Sequence, residues 1–303
     1  MQGQDLLNDT VKYLDLSNVY ASLSLYGSDA LDLLDRLTTN NLTDLTDVGM
    51  GMGSVLTSNK GRIIDLLYVF KLPDYILVIT SYDACKKVKD WIEFYTIMED
   101  VVVEENCDRL SHHRVSGAGI VELFPQMSGL KPFELREIVV GSIPCLAFMP
   151  DVKSPSSIDL LVQSESAAEF INYWTERADF IDGDGFDRIR INEGVPVYGK
   201  ELTDKFNPLE AGLIKHISFN KGCYIGQEVV ARLNTYDKVQ RQLVKLSLQT
   251  TVDNPAIQSE ETTVGLITST NNGKGLGYVK NAYATKGTVL KSGECVVEVL
   301  GAV

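Results

Sequence analysis

A chain of 303 residues with 44% hydrophobic and 23% charged side chains is globular in composition, long enough for two domains and able to bury a core without disulfide or metal staples. Its net charge of −13 repels phosphate backbones and argues against duplex nucleic acid as the main partner. Five cysteines without a CxxC pair argue against a secreted disulfide framework and a zinc ribbon.

The opening MQGQDLLNDTVKYLDLS has neither the basic start nor the apolar core of a targeting segment. No apolar run reaches membrane-spanning length, so a reducing cytoplasm is the expected compartment. Between Ser28 and Thr38, Ala30, Leu31, Leu34 and Leu37 fall at helical spacing, with Ser28 as the expected N-cap. Residues 49–70 then read as two apolar runs around the turn Ser58-Asn59-Lys60-Gly61, a hairpin. The leading GMGMGS feeds a strand and not a helix, so it is a turn and not a dinucleotide loop. In RIIDLLYVF, alternation sets Ile63, Asp65, Leu67 and Val69 on one face. A carboxylate on such a face is costly to bury without a partner. A ligand amine or protonated ring nitrogen can be that partner, and so can a salt bridge or backbone amides.

YILVIT (Tyr75 to Thr80) is a strand leading to a helix that carries Ala84, Val88, Trp91, Ile92 and Tyr95. SIDLLVQ (Ser157 to Gln163) leads through Ser164 to a helix with Ala167, Ala168, Phe170, Ile171 and Trp174. Two strand–helix units of like length point to two related α+β halves. Between them His112 and His113 point opposite ways on an extended segment. Together with His216 they suit hydrogen-bonded structural roles better than a zinc site or a catalytic triad, and no metal centre is expected.

DRIRINEGVPVYGKELTDKFNPLEAGL, Asp187 to Leu213, fits neither helical nor strand period beyond Glu193. Long ordered loops of this kind often carry function, and an Arg, a Tyr and a Glu suit a planar heterocycle with a carboxylate tail. In the next segment, FNKGCYIGQEVVAR (Phe219 to Arg232), Cys223 follows Lys221 and lies between Gly222 and Gly226. A neighbouring ammonium favours thiolate; the other reading is a small apolar residue starting a strand. Beyond Arg241 only short strand-like runs remain, separated by turn signals such as Asn271-Asn272-Gly273 and Lys291-Ser292-Gly293. They predict a small all-β barrel, with Thr250 to Thr263 as a solvated loop.

KGCYIGQE, in which Lys221, Gly222, Cys223, Tyr224, Gly226, Gln227 and Glu228 carry the match, resembles the signature of the YgfZ-type folate-binding proteins. These are relatives of the aminomethyltransferase (T-protein) of the glycine cleavage system and support iron–sulfur cluster assembly or repair. LSLYGSDALDLLDRLTTNNLTDL and NKGRIIDLLYVF resemble the family's opening helix and hairpin, so the likeness covers nearly the whole chain. RINEGVPVYGKEL and NPLEAGL resemble the T-protein branch more closely.

The resemblance implies an α+β fold. Two intertwined ferredoxin-like halves form a folate-binding body over residues 1–236, followed by a small C-terminal β-barrel over 237–303. The implied ligand is tetrahydrofolate or a one-carbon derivative. Glu210 would read the pterin, Tyr198 line the ring, and Asp65 act at the reactive folate nitrogens as proton acceptor or electrostatic stabiliser. Arg190, Arg232 and Arg241 would meet the glutamate tail or orient acids, and Cys223 would act at the channel mouth. Implied partners are iron–sulfur enzymes or their assembly proteins, with the chain itself a monomer. The second reading is a folate-dependent aminomethyltransferase; T-proteins commonly carry two adjacent acids where this chain has Asp65 followed by Leu66.

Overall fold

The computed structural model describes residues 11–117, 120–150, 157–236 and 238–303. The chain divides into two compact units, one of Met1–Ser54 and Leu66–Gly183, the other of Val55–Asp65 and Asp184–Val303.

The first unit is built on two sheets. One has five strands in the order Gly51–Thr57, Ile63–Lys71, Ile76–Ser81, Tyr20–Tyr26, Val102–Glu105, its first two strands running into the second unit at the hairpin tip. The other has six, in the order Asp179–Ile181, Lys12–Asp15, Leu110–Ser116, Ser157–Gln163, Ile143–Phe148, Leu135–Val140. The intertwining of the halves is visible in this order. Lys12–Asp15 joins the six-stranded sheet, and the very next strand, Tyr20–Tyr26, joins the five-stranded one. The two expected strand–helix units fall one in each sheet, with helices Cys85–Tyr95 and Ala167–Thr175. Ala84, Val88 and Ile92 bury one helical face, and Phe170 and Trp174 join Tyr13, Val115 and Leu160 in the core of the six-stranded sheet.

One cap differs from expectation. The first helix spans Ala30–Leu37, its N-cap is Asp29, and no side chain caps it. Ser28 instead donates both its hydroxyl, at 3.1 Å, and its backbone N–H, at 3.0 Å, to Asp100 Oδ2, charge-assisted bonds that hold it outside the helix end.

The paired histidines are buried and bonded on opposite faces of Leu110–Ser116. His112 Nε2 lies 2.8 Å from Asp159 Oδ2, and Arg114 donates to both oxygens of that carboxylate at 2.5 and 2.9 Å. His113 lies 2.9 Å from the Tyr13 hydroxyl and 2.8 Å from Ser111 Oγ. Burial pushes His113 down to about 4 from 6.5, against the pull of Asp15. The unfolded chain therefore binds a proton that the folded one refuses. This stabilising contribution is fully present above pH 6.5 and is lost as pH falls through about 4, a loss on the order of 3 kcal/mol. Urea titrations across that window should show stability falling with acid, and His113→Gln should flatten the slope there.

The second unit ends in a closed barrel in the order Arg241–Leu248, Lys274–Lys280, Thr262–Asn271, Ala256–Ser259, Val289–Ser292, Cys295–Ala302. Its core includes Val244, Leu246, Ile257, Val279, Val297 and Val299. The turn at Asn272-Gly273 joins paired residues Asn271 and Lys274, with φ of 45° and 71°, the left-handed pair that a two-residue hairpin requires. The expected loop Thr250–Thr263 is corrected in part: Ala256–Ser259 is a strand of the barrel, anchored by the fully buried Ile257. In strand Ile63–Lys71 the expected face of Ile63, Asp65, Leu67 and Val69 is at 0% exposure, and Ile64 and Phe70 on the other face are buried as well.

Candidate functional site

The candidate residues lie in the second unit, on the hairpin tip, the irregular segment after helix Gly183–Glu193, and the start of the barrel. The irregular segment is fixed by one carboxylate. Glu201, at 0% exposure, accepts from Arg190 Nη1 and Val197 N at 3.1 Å each through Oε2. Its Oε1 accepts from the hydroxyls of Thr268 and Ser269 at 2.6 Å each. Its carbonyl takes a further bond from the Tyr278 hydroxyl at 2.9 Å. Arg190 is 2% exposed and also donates to Asp187 and to Ser269. Its guanidinium thus orients acids inside the unit. Tyr198 is half-buried in the tight turn that follows, where Glu201 and Leu202 both donate to the Val197 carbonyl.

Downstream, two arginines converge on Glu210. Arg241 Nε donates to Oε1 at 2.9 Å, Arg62 Nη1 lies 3.7 Å from Oε2, and Asn207 N donates to Oε2 at 3.0 Å. Both guanidinium groups also donate to the Lys205 carbonyl at 3.0 Å. Glu210 is 7% exposed in its side chain, whereas Arg62 and Arg241 keep 40% and 39%. The Arg241 guanidinium lies 4.7 Å over the Phe206 ring, which stacks on Tyr278 with centroids 3.4 Å apart. Burial beside Glu201 pushes the Tyr278 phenol well above its usual range, so it stays a hydroxyl donor. The hairpin tip joins this cluster through Ile63 N, which donates to the Phe206 carbonyl at 3.1 Å. Arg62 was not among the residues that sequence reasoning assigned to a ligand; its signal was its place in NKGR, three residues before Asp65.

The KGCYIGQE stretch is tied to the same hairpin. Thr57 Oγ1 donates to the Ile225 carbonyl at 2.6 Å. Gly226 has φ of 87°, and a Cβ there would lie 2.5 Å from the Ser58 carbonyl oxygen and 3.0 Å from Gly61 Cα. The second glycine of the motif therefore lets two backbones touch, and it opens helix Gln227–Thr235. A Cβ at Gly222 would meet nothing within 4 Å. Gly226→Ala should cost about 1–3 kcal/mol in urea unfolding and Gly222→Ala close to nothing. Tyr224 is buried, which pushes its phenol up to about 12, and Lys221 Nζ sits 5.5 Å from its ring. Gln227 Nε2 donates back to the Gly222 carbonyl at 3.3 Å. Cys223, Glu228 and Arg232 are exposed.

Geometry thus brings Asp65, Arg62, Glu210 and Arg241 onto the hairpin, its bonded neighbour segment and the first barrel strand. Cys223 shares the hairpin through its loop, and Arg190 is linked to the cluster through Glu201 and Tyr278, which stacks on the Phe206 ring beneath Arg241. A groove of about 650 Å³ in the first unit, lined by Leu72, Tyr75, Leu146 and Leu161 among others, contains none of the expected site residues.

The GCVT N-terminal domain family matches residues 5–221. The chain belongs to that family. One relative is the chloroplastic protein At1g60990 of Arabidopsis thaliana, named for a transferase, 28% identical over 97% of this chain and 71% of its own length. An aminomethyltransferase of Thermotoga maritima is 27% identical over 73% of this chain, which spans 63% of that enzyme's length. The fold is that of the glycine cleavage system aminomethyltransferase T of Bartonella henselae, with a TM-score of 0.84 over 98% of this chain and 86% of that one at 16% identity. The family match ends at residue 221, before the barrel, whereas the structural likeness extends over both the interleaved sheets and the barrel.

Proposed function

We propose that this GCVT-family chain is a tetrahydrofolate-binding protein of the YgfZ type that serves iron–sulfur cluster assembly or repair. One observation carries the reading: an exposed thiol, Cys223, sits on a loop bonded to the hairpin that bears the buried acid Asp65. The donor set fits a reduced folate. Asp65 is a carboxylate able to read a pterin's N–H groups. Arg62 and Arg241, each with about two-fifths of the side chain exposed, are cations suited to a glutamate tail. Phe206 and Tyr278 supply a stacked aromatic floor beneath Arg241. Bound tetrahydrofolate would supply nitrogens able to carry a one-carbon unit. Asp65 would hold a proton or a compensating charge there, and Glu210 would keep Arg241 aimed. All five cysteines are free, which suits a reducing, cytoplasmic setting. No helix among the described residues is long and apolar enough to cross a membrane.

The second reading, aminomethyl transfer to tetrahydrofolate, is favoured by the names of the bacterial relatives. Calorimetric titration with tetrahydrofolate, followed by a folate-dependent turnover assay, tests both. Binding without turnover supports the first reading, binding with turnover the second, and no binding removes both.

The thiol has its own test. Cys223 should alkylate near neutral pH faster than Cys85 and Cys145, whose thiols burial pushes up to about 12. Cys223→Ala and Cys223→Ser should fold normally yet fail to support iron–sulfur enzymes in cells. Full support by the Ala variant would mean that the thiol does no chemistry.

A further inference from the structure

Three potential ligands with no part in the folate reading meet in the first unit. Cys85 begins helix Cys85–Tyr95, Glu105 ends strand Val102–Glu105, and Cys107 lies in the turn that follows. Their Sγ and carboxylate atoms all lie within 4.8 Å of one another, and the two sulfurs are 3.6 Å apart. From these contacts we propose that Cys85, Cys107 and Glu105 form a binding site for a thiophilic divalent cation of the zinc class.

Sulfur separation is the first argument. Two thiolates on one tetrahedral ion with metal–sulfur bonds of about 2.3 Å sit about 3.8 Å apart, close to the separation found. A disulfide needs about 2.05 Å, a contraction of the whole pair. Ligand chemistry is the second. Two sulfurs and one carboxylate suit a borderline-soft ion and disfavour magnesium or calcium, which take oxygen. Three protein ligands leave a fourth position for water or a further ligand.

Rigidity is the third argument. Asn106, between Glu105 and Cys107, is buried, and its N–H donates to the Ser22 carbonyl at 2.9 Å. Its side-chain amide donates to Ser24 Oγ at 2.7 Å, and its carbonyl accepts from Arg109 N and Leu110 N at 2.9 Å each. The turn that carries two ligands is therefore locked to strand Tyr20–Tyr26, which pairs with both Val102–Glu105 and Ile76–Ser81. Charge is the fourth. Lys89 Nζ, one helical turn after Cys85, lies 3.2 Å from Glu105 Oε1. With three anionic ligands and one divalent ion, this ammonium leaves the cluster neutral, a condition for keeping it at a partly buried position. Cys85 is 4% exposed and Cys107 half-buried, so ions reach the site from the Cys107 side.

Cobalt(II) is the probe. Reduced full-length protein should bind one equivalent, with a near-ultraviolet thiolate charge-transfer band and the visible bands of a tetrahedral ion. Stoichiometric zinc should abolish both. Cys107→Ser should lose one of the two thiolate contributions to the charge-transfer band and at least tenfold in affinity, while Glu105→Gln keeps the full band and binds more weakly. On the unmutated protein, zinc should slow alkylation of Cys107 and leave that of Cys223 unchanged, which keeps the test independent of how any variant folds. A thiolate band that is absent from the reduced protein overturns the proposal. So does a band of undiminished intensity in folded Cys107→Ser, zinc protection of Cys223 in place of Cys107, or a pair that oxidises to a disulfide but takes no cobalt when reduced.

Discussion

Glu201→Ala is expected to destabilise the protein by about 3–5 kcal/mol, the largest stability effect of any single substitution near the candidate site. The carboxylate is fully buried and accepts from four donors on the irregular segment, helix Gly183–Glu193 and the barrel. Removing it leaves the Arg190 guanidinium, 2% exposed, with a charge that Asp187 must balance, and leaves Ser269 to find another acceptor, while Thr268 keeps the Leu276 carbonyl at 3.1 Å. Glu201→Gln keeps the shape but loses the charge, so it should fall between wild type and Ala. Urea unfolding measures both. A loss under about 1 kcal/mol for Ala would mean that the segment from Gly194 to Leu213 is held by other contacts.

Asp65→Asn carries the largest expected effect on chemistry. The side chain is at 0% exposure, so the substitution changes charge and proton affinity with little change in volume. If the chain transfers a one-carbon group, turnover should fall by about two powers of ten or more, the usual loss when a general base is removed. If it only binds folate, wild type should show no turnover, and the variant should bind tetrahydrofolate at least tenfold more weakly, since a buried charged hydrogen bond is worth about 1.5–3 kcal/mol. Rapid wild-type transfer would overturn the folate-binding reading and establish the transferase one.

Much of the fold could be read from periodicity. Alternation in RIIDLLYVF put Ile63, Asp65, Leu67 and Val69 on one buried face, Asn272-Gly273 marked a turn of the barrel, and the two strand–helix units each found a sheet. What escaped had a weak local signal or none. Ala256–Ser259 buries only Ile257 fully, so its polar neighbours hide a strand that the barrel needs to close. Ser28 matched a cap by spacing, but a carboxylate 72 residues away competes for its hydroxyl. Asp65, Tyr198, Glu210 and Arg241 stood out as candidates because their residue types fit a ligand. Arg62 joins them only because Glu210, 148 positions later, folds back beside it at 3.7 Å. Cys85 and Cys107 are 22 positions apart and form no spacing motif, yet a helix start and a strand turn bring their sulfurs together.

The hairpin tip belongs to the later-made half of the chain. Val55–Asp65 folds with Asp184–Val303, so during synthesis the tip leaves the ribosome well over a hundred residues ahead of the segments that cover it. Val55, Leu56, Ile63 and Ile64 are each at most 3% exposed in the finished protein. Until Phe206 and Ile225 arrive to bond Ile63 and Thr57, these apolar side chains have no permanent cover from their own unit. At elongation rates of about 5–20 residues per second that interval lasts many seconds, long enough for a nascent-chain chaperone to engage the tip. Ribosome-bound chains arrested shortly before residue 184 should therefore recruit such a holdase more strongly than chains carrying the complete barrel.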